Sequence, residues 1–275
     1  MRTFTLVNND GQTYDITSKN DGFFYNVSGL GYERDTEYQR VKERYTVLSD
    51  VLNMPPIVGT VRFFKPNIEQ KYFDFSQFCQ NSPIKMVYNP GYGEFYRMGR
   101  IVKVERSDGE NVMTAKVTFK PTTPWIKDIN VNNDNQITDG KKYDYEYDYT
   151  YSDTIQGAVI IDSDSYQDSP IKLTIYGEVV NPIWRHYVNN KLMITGQVLA
   201  TIPINHKLVI DTTTSPYSIK EYDMANQLIA DRYQNSNFNT DRFIRLENGV
   251  NLITAAGTGG AAALKVEAQI EYATV

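Results

Sequence analysis

The stretch ALKVEAQIEYATV, residues 263–275, alternates apolar and polar side chains over most of its length. An extended chain would carry the apolar set on one face: Leu264, Val266, Ala268, Ile270 and Tyr272. The positions between them hold charged or amide side chains. Because successive side chains of a strand point to opposite faces, this period of two predicts a half-buried β-strand.

The same period recurs upstream in KYDYEYDYTYS, residues 142–152, where tyrosines alternate with polar residues. Between the two segments lie short apolar stretches, among them GAVIID, IKLTIYGE, KLMITGQV, HKLVID and NLITAA. Turn-forming pairs such as Asn189–Asn190 and Asn248–Gly249 separate neighbouring stretches. Many short strands joined by short turns predict an all-β chain built as a sandwich or jelly roll.

One segment, KPNIEQKYFDFSQFCQNSP at residues 65–83, has clear helical spacing. Its apolar stripe consists of Ile68, Tyr72, Phe75 and Cys79. Proline lies near the start of the segment and again beyond its end, as is typical of helix boundaries. The pattern predicts a helix over 67–81, with Cys79 facing the core as a small hydrophobe and not as a catalytic thiol.

A second segment is ambiguous between helix and strand. Its apolar residues lie three and four apart, which is the spacing of an amphipathic helix: Tyr38, Val41, Tyr45, Leu48 and Leu52. The same segment alternates in part, and the β-branched residues in and after it favour strands. The residue pattern leaves 35–52 open between the two structures.

Length and charge narrow the possible functions. At 275 residues the chain can form two domains or one large β domain. A formal net charge of -5 without a long Lys/Arg run argues against nucleic acid as the main partner. No run approaches the roughly 18 apolar residues of a membrane span, and MRTFTLVNNDGQTYDIT lacks the apolar core of a secretory signal. We therefore expect a soluble protein that is made in the cytosol.

The side chains that could hold zinc are few. The chain has one cysteine, Cys79, and two histidines, His186 and His206, so a metal would have to be held by carboxylates. Tyrosine is abundant, with 21 Tyr against 12 Phe and 2 Trp. Tyrosines suit half-buried strands, and they also form stacking platforms for sugar rings. β-Propensity alone favours the first interpretation.

The stretch NPIWRHYVNNKLMITGQV, residues 181–198, places Trp184, Arg185 and His186 side by side. As a hairpin turning on its two asparagines, it would direct neighbouring side chains to opposite faces, so the three could not converge on one substrate atom. No GxSxG or HExxH motif accompanies the histidine. We therefore predict no catalytic residue here.

Two polar segments invite a comparison with calcium sites. In DINVNNDNQITDG, residues 128–140, each alignment with a calcium-binding loop lacks the glycine and a second required position. Asn, Asp and Gly also supply turns without any metal, which favours a polar interdomain loop. The second segment contains Asp162, Asp164 and Asp168, for which a solvated loop is the simpler interpretation. We predict no metal-binding residue, and whether 128–142 binds calcium stays open.

GTGGAAALK, residues 257–265, has the glycine content of a phosphate-binding loop. It lacks the GK[ST] ending and precedes the alternating strand instead of a helix, so phosphate binding has little support. We predict a hairpin tip here and no cofactor-binding residue in the chain.

Several segments together carry a resemblance to a known family. In chain order they are the GLG turn at Gly29–Gly31, the strand GTVRFF at Gly59–Phe64, the helix ending FCQNS, and the stretches PIKMVYNP, GEFYRMGRIVKVE and VTFKPTTPWIKD. This order resembles the N-terminal domain of the distal tail (Dit) proteins of siphophages, especially those that infect Gram-positive hosts. Downstream, IKLTIYGEVVNPIWRHYVNNKLMITGQV and FIRLENGVNLITAAG resemble the galectin-like C-terminal sandwich of that family.

The resemblance implies a structure and a role. It implies a ring-forming β domain with one helix at 1–127, a polar junction loop at 128–142 and a galectin-like β-sandwich at 143–275. It also implies that residues 29–64 are strand and extended loop, against the helical spacing noted above. The implied function is that of a non-enzymatic virion protein, a homohexameric ring that joins the tail tube to the tail tip and carries receptor-binding machinery.

The resemblance also names partners and a location. The expected partners are other copies of the chain, tail tube or tail terminator-side proteins, a tail-associated hub protein, and a receptor-binding protein or adaptor. Genomic DNA would only pass through the channel, and no membrane is involved. The protein would act at the phage tail tip after synthesis in the host cytoplasm. The alternative function is a carbohydrate-binding β-sandwich adhesion module, which would explain the tyrosines.

Overall fold

A computed structural model describes residues 2–18, 20–109, 112–133, 141–142, 150–151, 157–258 and 260–275. Over these residues the chain consists of β-strands with one α-helix and a short 3-10 helix, which confirms the predicted all-β class. None of the helices in this part of the chain has the length and apolar character needed to cross a membrane.

The chain divides into two compact units. The first contains Met1–Lys127 together with Tyr272–Val275, and the second contains Asp128–Glu271. The helix of the first unit is α1 (Ile68–Gln80). Its strands are β1 (Thr3–Val7), β2 (Thr13–Asp15), β3 (Phe23–Ser28), β4 (Glu33–Val41), β5 (Arg44–Asn53), β6 (Ile57–Phe63), β7 (Ile84–Asn89), β8 (Phe95–Gly109), β9 (Val112–Pro121) and the start of β10 (Trp125–Asn133).

The long strand β8 organises the first unit. Its early residues pair with β7, which continues through β1 to β2, and its later residues pair with β9, which continues through β6 to β3. The change of partner occurs at Gly99, which pairs with Ile84 of β7 and with Pro121 of β9, and a β-bulge between Ile101 and Lys103 then shifts the register with β9. At the GLG turn, Gly29 has a φ of 83° and approaches the Pro56 carbonyl so closely that a Cβ would meet that oxygen at 2.1 Å.

The helix α1 covers the core of this unit. Phe75, Phe78 and Cys79 are buried, and the ring of Phe75 lies 5.6 Å from that of Phe63 and 5.2 Å from that of Tyr14. The predicted helix over 67–81 and the inward-facing cysteine are confirmed to within one residue at each end. Burial raises the pKa of the Cys79 thiol to about 12, so the nucleophilic thiolate is suppressed at neutral pH.

The second unit is built from two main sheets. Its strands are β11 (Lys141–Lys142), β12 (Thr150–Tyr151), β13 (Ala158–Ser163), β14 (Ser169–Tyr176), β15 (Val179–Val180), β16 (Ile183–Val188), β17 (Lys191–Gln197), β18 (Thr201–Ile202), β19 (His206–Asp211), β20 (Ser218–Asp223), β21 (Leu228–Asp231), β22 (Arg245–Leu246), β23 (Gly249–Gly257), β24 (Gly260–Ala261) and β25 (Leu264–Tyr272), with the 3-10 helix η1 (Tyr233–Asn235) after β21. One sheet has the order β25–β14–β19–β20–β21, and the other has the order β13–β23–β16–β17.

Each sheet of this unit buries one face. In β25 the residues Leu264, Val266, Ala268 and Ile270 are buried, whereas their neighbours are partly exposed, which confirms the alternation predicted from residues 263–275. The alternation predicted for 142–152 falls largely on residues outside the described ranges.

Two predicted boundaries need correction. The junction loop was predicted over 128–142, but residues 128–133 continue strand β10, with exposed and partly buried side chains in alternation as far as residue 132. The Asn and Asp content of this stretch hid that alternation, since these residues are also typical of turns. Residues 134–140 lie outside the described ranges.

The second correction concerns the end of the chain, which was predicted to belong to the C-terminal domain. Tyr272–Val275 group instead with the first unit. There the guanidinium Nη2 of the buried Arg97 donates a hydrogen bond to the Ala273 carbonyl at 3.2 Å, and the Tyr272 ring packs on Phe95 at 5.4 Å. These contacts join positions more than 170 residues apart, which sequence spacing does not reveal.

Candidate assembly surface

Strands β4 and β5 form an antiparallel hairpin whose register runs from Glu33 opposite Asn53 to Val41 opposite Arg44. The chain reverses at Lys42 and Glu43, and Lys42 adopts a φ of 57°. Residues 35–52 are therefore strand apart from this turn, as the family resemblance implied and against the helical spacing. Neither strand pairs with a third strand in the part of the chain that the structure describes.

A β-bulge divides the hairpin, because Glu37 pairs with Ser49 whereas Tyr38 pairs with Val47, so that Leu48 has no partner. Beyond the bulge, one face is formed by a tip cluster, defined as Tyr38, Arg40, Tyr45 and Val47. All four side chains are exposed, and the ring-bearing Tyr45 is 69% exposed. The hairpin thus presents aromatic and apolar area to solvent.

The polar contacts at the base of the hairpin do little to stabilise it. Arg34 forms an ion pair with Asp50, and the Thr36 hydroxyl donates to the same carboxylate at 3.2 Å. Both charged side chains are well exposed, and such pairs contribute on the order of 0–1 kcal/mol. Because an isolated two-stranded hairpin is marginal in water, these weak contacts and the exposed apolar area make the hairpin a candidate interaction surface.

Trp184, Arg185 and His186 lie on strand β16 and alternate between its two faces. Trp184 and His186 point inward from β16 and are fully buried, whereas Arg185 points to the other face. The indole Nε1 of Trp184 donates to the Arg242 carbonyl at 2.9 Å. The hairpin of β16 and β17 turns on Asn189 and Asn190, both with positive φ. The predicted hairpin and its alternating faces are confirmed, and the trio does not converge.

The surroundings of His186 favour its neutral form. Its Nε2 lies 2.9 Å from the Asn251 Oδ1, and the Asn251 amide nitrogen donates to the Glu247 and Gly249 carbonyls. That orientation leaves Oδ1 as an acceptor, so Nε2 of His186 carries the proton and donates it. Burial lowers the pKa of His186, although Asn251 and Glu247 oppose the shift.

The segments compared with metal and phosphate sites at the sequence level lie apart from the β4–β5 hairpin along the chain. Asp162 lies in β13, whereas Asp164 and Asp168 lie in the loop before β14. No group of three His, Cys, Asp or Glu side chains in the described ranges could hold a metal ion. The seven positions 134–140 of the calcium-like segment are outside those ranges. At the glycine-rich 257–265, β23 and β24 pair closely as a hairpin, with Gly257 opposite Gly260.

One buried cluster was missed at the sequence level. Glu221 of β20 is buried, accepts a hydrogen bond from the His206 Nδ1, and forms an ion pair with Arg232, whose Nε donates to the carboxylate at 2.7 Å. Burial opposes ionisation of Glu221, but the hydrogen bonds from His206 and Arg232 outweigh it and lower its pKa. The signal was in YSIKEYD, where period two places Glu221 on the same face as the apolar Ile219.

Comparisons with known proteins agree with this architecture. Residues 3–122 match the family described as the distal tail protein, N-terminal domain. No curated protein matches the chain in sequence. The chain is similar to a chain of the phage P2 baseplate in its activated conformation with Ca, at 15% identity and a TM-score of 0.61 over 100% of both chains.

It is also similar to the SPP1 Dit (gp 19.1) protein, described as a paradigm of the hub adsorption apparatus in phages that infect Gram-positive bacteria. That likeness has 8% identity and a TM-score of 0.64 over 98% of this chain and 99% of the other. Both structures share the fold of this chain over nearly its whole length. The family match thus identifies residues 3–122 as the N-terminal domain of a phage distal tail protein.

Proposed function

We propose that this protein is a non-enzymatic virion component that forms a homohexameric ring at the tip of a siphophage tail. The ring joins the tail tube to the baseplate hub, and the second unit, as a galectin-like domain, carries a receptor-binding protein or its adaptor. The protein is made in the host cytoplasm and acts in the virion. Genomic DNA passes through the ring without stable binding, and a net charge of -5 is compatible with that passage.

The observation that carries the ring is the exposed β4–β5 hairpin. Its tip cluster displays two tyrosines and a valine, and no third strand in the described ranges covers either edge. A closed ring uses one heterologous contact repeated between neighbours, so that a projecting element of one copy lies against another part of the next. A neighbouring copy would bury the aromatic area and complete the hairpin's edges.

The test is the mass of the full-length protein in solution, alone and with the tail-associated hub protein, combined with negative-stain images. We expect wild type to form six-membered rings in at least one of the two conditions. The double variant Tyr38→Asp/Tyr45→Asp should remain monomeric in both, because it places charges in the buried contact. Its thermal stability as a monomer should match that of wild type, since both rings are exposed there.

Tyr92 provides a matched control, because it lies in the same unit and is 70% exposed, against 69% for Tyr45. Tyr92→Asp should close rings normally. If wild type stays monomeric even with the hub protein, the proposal of a ring is wrong. If the double variant Tyr38→Asp/Tyr45→Asp forms rings, the hairpin is not the ring contact.

We also propose that residues 1–127 with 272–275 form one folding unit, that residues 143–271 form a second one, and that the remaining junction joins them. Limited proteolysis should cut first within 134–142 and leave two compact fragments. Because Tyr272–Val275 belong to the first unit, the fragments should co-elute until denaturant is added. A first cut within 157–210 would show that the division is wrong.

A further inference from the structure

A groove of about 720 Å³ lies in the second unit beside β20, β21 and η1. Its size is within the range of about 300–1,000 Å³ that is typical of small-molecule sites. The side chains that give it chemical character are three aromatic and three polar ones: Tyr217, Tyr233, Phe243, Lys220, Asp231 and Gln234. No residue of the assembly surface belongs to it.

The aromatic side chains form a continuous cluster. The Phe243 ring lies 5.2 Å from Tyr217 and 6.3 Å from Tyr233, and it is nearly parallel to the latter. Tyr217 is 39% exposed, and its hydroxyl accepts a hydrogen bond from the Arg245 Nη1 at 3.0 Å, which fixes the ring. The groove therefore has an ordered aromatic platform with accessible area.

The polar side chains that line the groove form no ion pair or hydrogen bond with one another in the described ranges. Lys220 and Asp231 are cross-strand partners, yet no ion pair joins them. The Asp231 Oδ1 accepts the Tyr233 backbone N–H at 2.9 Å, which orients the carboxylate. The side chains of Lys220 and Gln234 form no hydrogen bond to any described residue. Donors and acceptors thus remain available beside the aromatic platform.

The charges of the groove decide the ligand class. One ammonium and one carboxylate cancel, so a neutral ligand is favoured over a polyanion. A sugar ring offers an apolar C–H face for the aromatic platform, and its hydroxyls can both accept from Lys220 and donate to Asp231.

A second groove of this unit, on the outer face of β14 and β19, is a weaker candidate. Its Lys172 and Lys265 are both engaged by Glu267, at 3.9 and 2.8 Å, and its Lys207 donates to Asn226 at 2.6 Å. Its charged groups thus satisfy one another, unlike those beside Tyr217.

We propose that the groove at Tyr217, Asp231 and Gln234 binds a neutral saccharide, with Tyr217 as the stacking platform and the two polar side chains as hydroxyl partners. This site goes beyond the ring function. In a hexamer, six weak sites on one particle would act together on a polysaccharide and increase its retention through multivalency.

The test uses full-length protein and a panel of neutral oligosaccharides containing glucose, galactose, N-acetylglucosamine, N-acetylgalactosamine or rhamnose, with oligogalacturonate as the charged comparison. Binding is measured by saturation-transfer NMR and calorimetry. At least one neutral oligosaccharide should bind wild type with a Kd below about 1 mM, or roughly -4 kcal/mol. Tyr217→Ala, Asp231→Asn and Gln234→Ala should each weaken binding by tenfold or more.

Tyr166→Ala is the matched control, because Tyr166 is 93% exposed in the same unit and lies outside the groove. It should leave binding unchanged. Gln234→Ala changes an exposed side chain without hydrogen-bond partners in the described ranges, so it should fold normally even if Tyr217→Ala does not. The ring-deficient double variant should retain wild-type affinity per chain, which separates this site from the assembly proposal.

Three results would overturn the proposal. The first is a wild type that binds no neutral oligosaccharide of the panel. The second is binding that all three groove variants retain, or binding of oligogalacturonate alone. The third is that wild type binds no saccharide and that the groove variants no longer bind the adaptor or receptor-binding protein. This result would identify the groove as a protein-docking site.

Discussion

Two hairpins of this molecule have the same topology and opposite surroundings. The hairpin of β16 and β17 turns on two asparagines, pairs on one side with β23, and buries alternate side chains of β16. The hairpin of β4 and β5 turns at Lys42, and no third strand pairs with it in the described ranges. Nearly all of its side chains are exposed on both faces.

The difference shows which hairpin the chain stabilises by itself. Trp184 and His186 are fixed by the core of their own unit, so β16 needs no partner to hold its position. The tip cluster around Tyr38 and Tyr45 contacts solvent, so its apolar area contributes to stability only when another surface covers it. Variants in the β16–β17 hairpin should therefore affect folding, and variants in the β4–β5 hairpin should affect assembly.

The largest effect is expected for Trp184→Ala. The side chain is fully buried, and its removal leaves a large cavity and an unpaired Arg242 carbonyl. The free energy of unfolding should fall by about 3–5 kcal/mol, measured by urea denaturation of the monomer. Tyr45→Ala, the counterpart in the exposed hairpin, should change it by less than about 0.5 kcal/mol. Similar losses in the two variants would remove the distinction between the hairpins.

A smaller loss is expected for Gly196→Ala in β17. A Cβ at this position would meet the Trp184 indole at 2.2 Å, so the strand or the ring must shift. Overpacking of this kind costs about 1–3 kcal/mol in the free energy of unfolding. Gly31→Ala is the control, because the nearest atom to its Cβ would be the Thr274 hydroxyl at 4.0 Å. A neutral result for both variants would show that Trp184 is loosely packed.

Trypsin accessibility should distinguish the hairpins without changing stability. Lys42 and Arg44 at the β4–β5 turn and Lys191 after the β16–β17 turn are all exposed in the monomer. Ring closure should slow cleavage at Lys42 and Arg44 by tenfold or more, while cleavage at Lys191 keeps its rate. Equal protection of both turns, or of neither, would argue against a ring contact at the tip cluster.

The two hairpins also show why secondary structure could be predicted from the residue pattern in one region and not in the other. Residues 181–198 have one buried face, so the need to bury Trp184 and His186 imposes a visible period of two. Residues 33–53 have no buried face within the chain, so nothing imposes that period, and Tyr38, Val41 and Tyr45 fall at helical spacing by coincidence. The resemblance to a known family resolved what periodicity could not.

Contacts between distant residues were beyond the reach of sequence patterns. The groove brings together Tyr217, Asp231 and Phe243 through strand pairing and ring packing, and each residue alone looks like ordinary strand or loop chemistry. Glu221 was visible as a carboxylate on an apolar strand face, but its partners Arg232 and His206 are determined by the fold.

The smallest effect concerns pH and again separates the two hairpins. Burial lowers the pKa of His186, so the folded protein binds a proton there less readily than the unfolded chain, whose histidine titrates near its ordinary value of about 6.5. The stability that depends on the neutral ring is therefore fully present above that value and is lost as pH falls from it towards the lower pKa of the folded state. Urea denaturation of monomer between pH 5 and 7.5 should show this decline, and His186→Gln should flatten it. The β4–β5 hairpin contains no histidine, so trypsin cleavage at Lys42 in the monomer should show no corresponding change beyond that of the protease itself. An unchanged slope in His186→Gln would mean that His186 is not the group responsible.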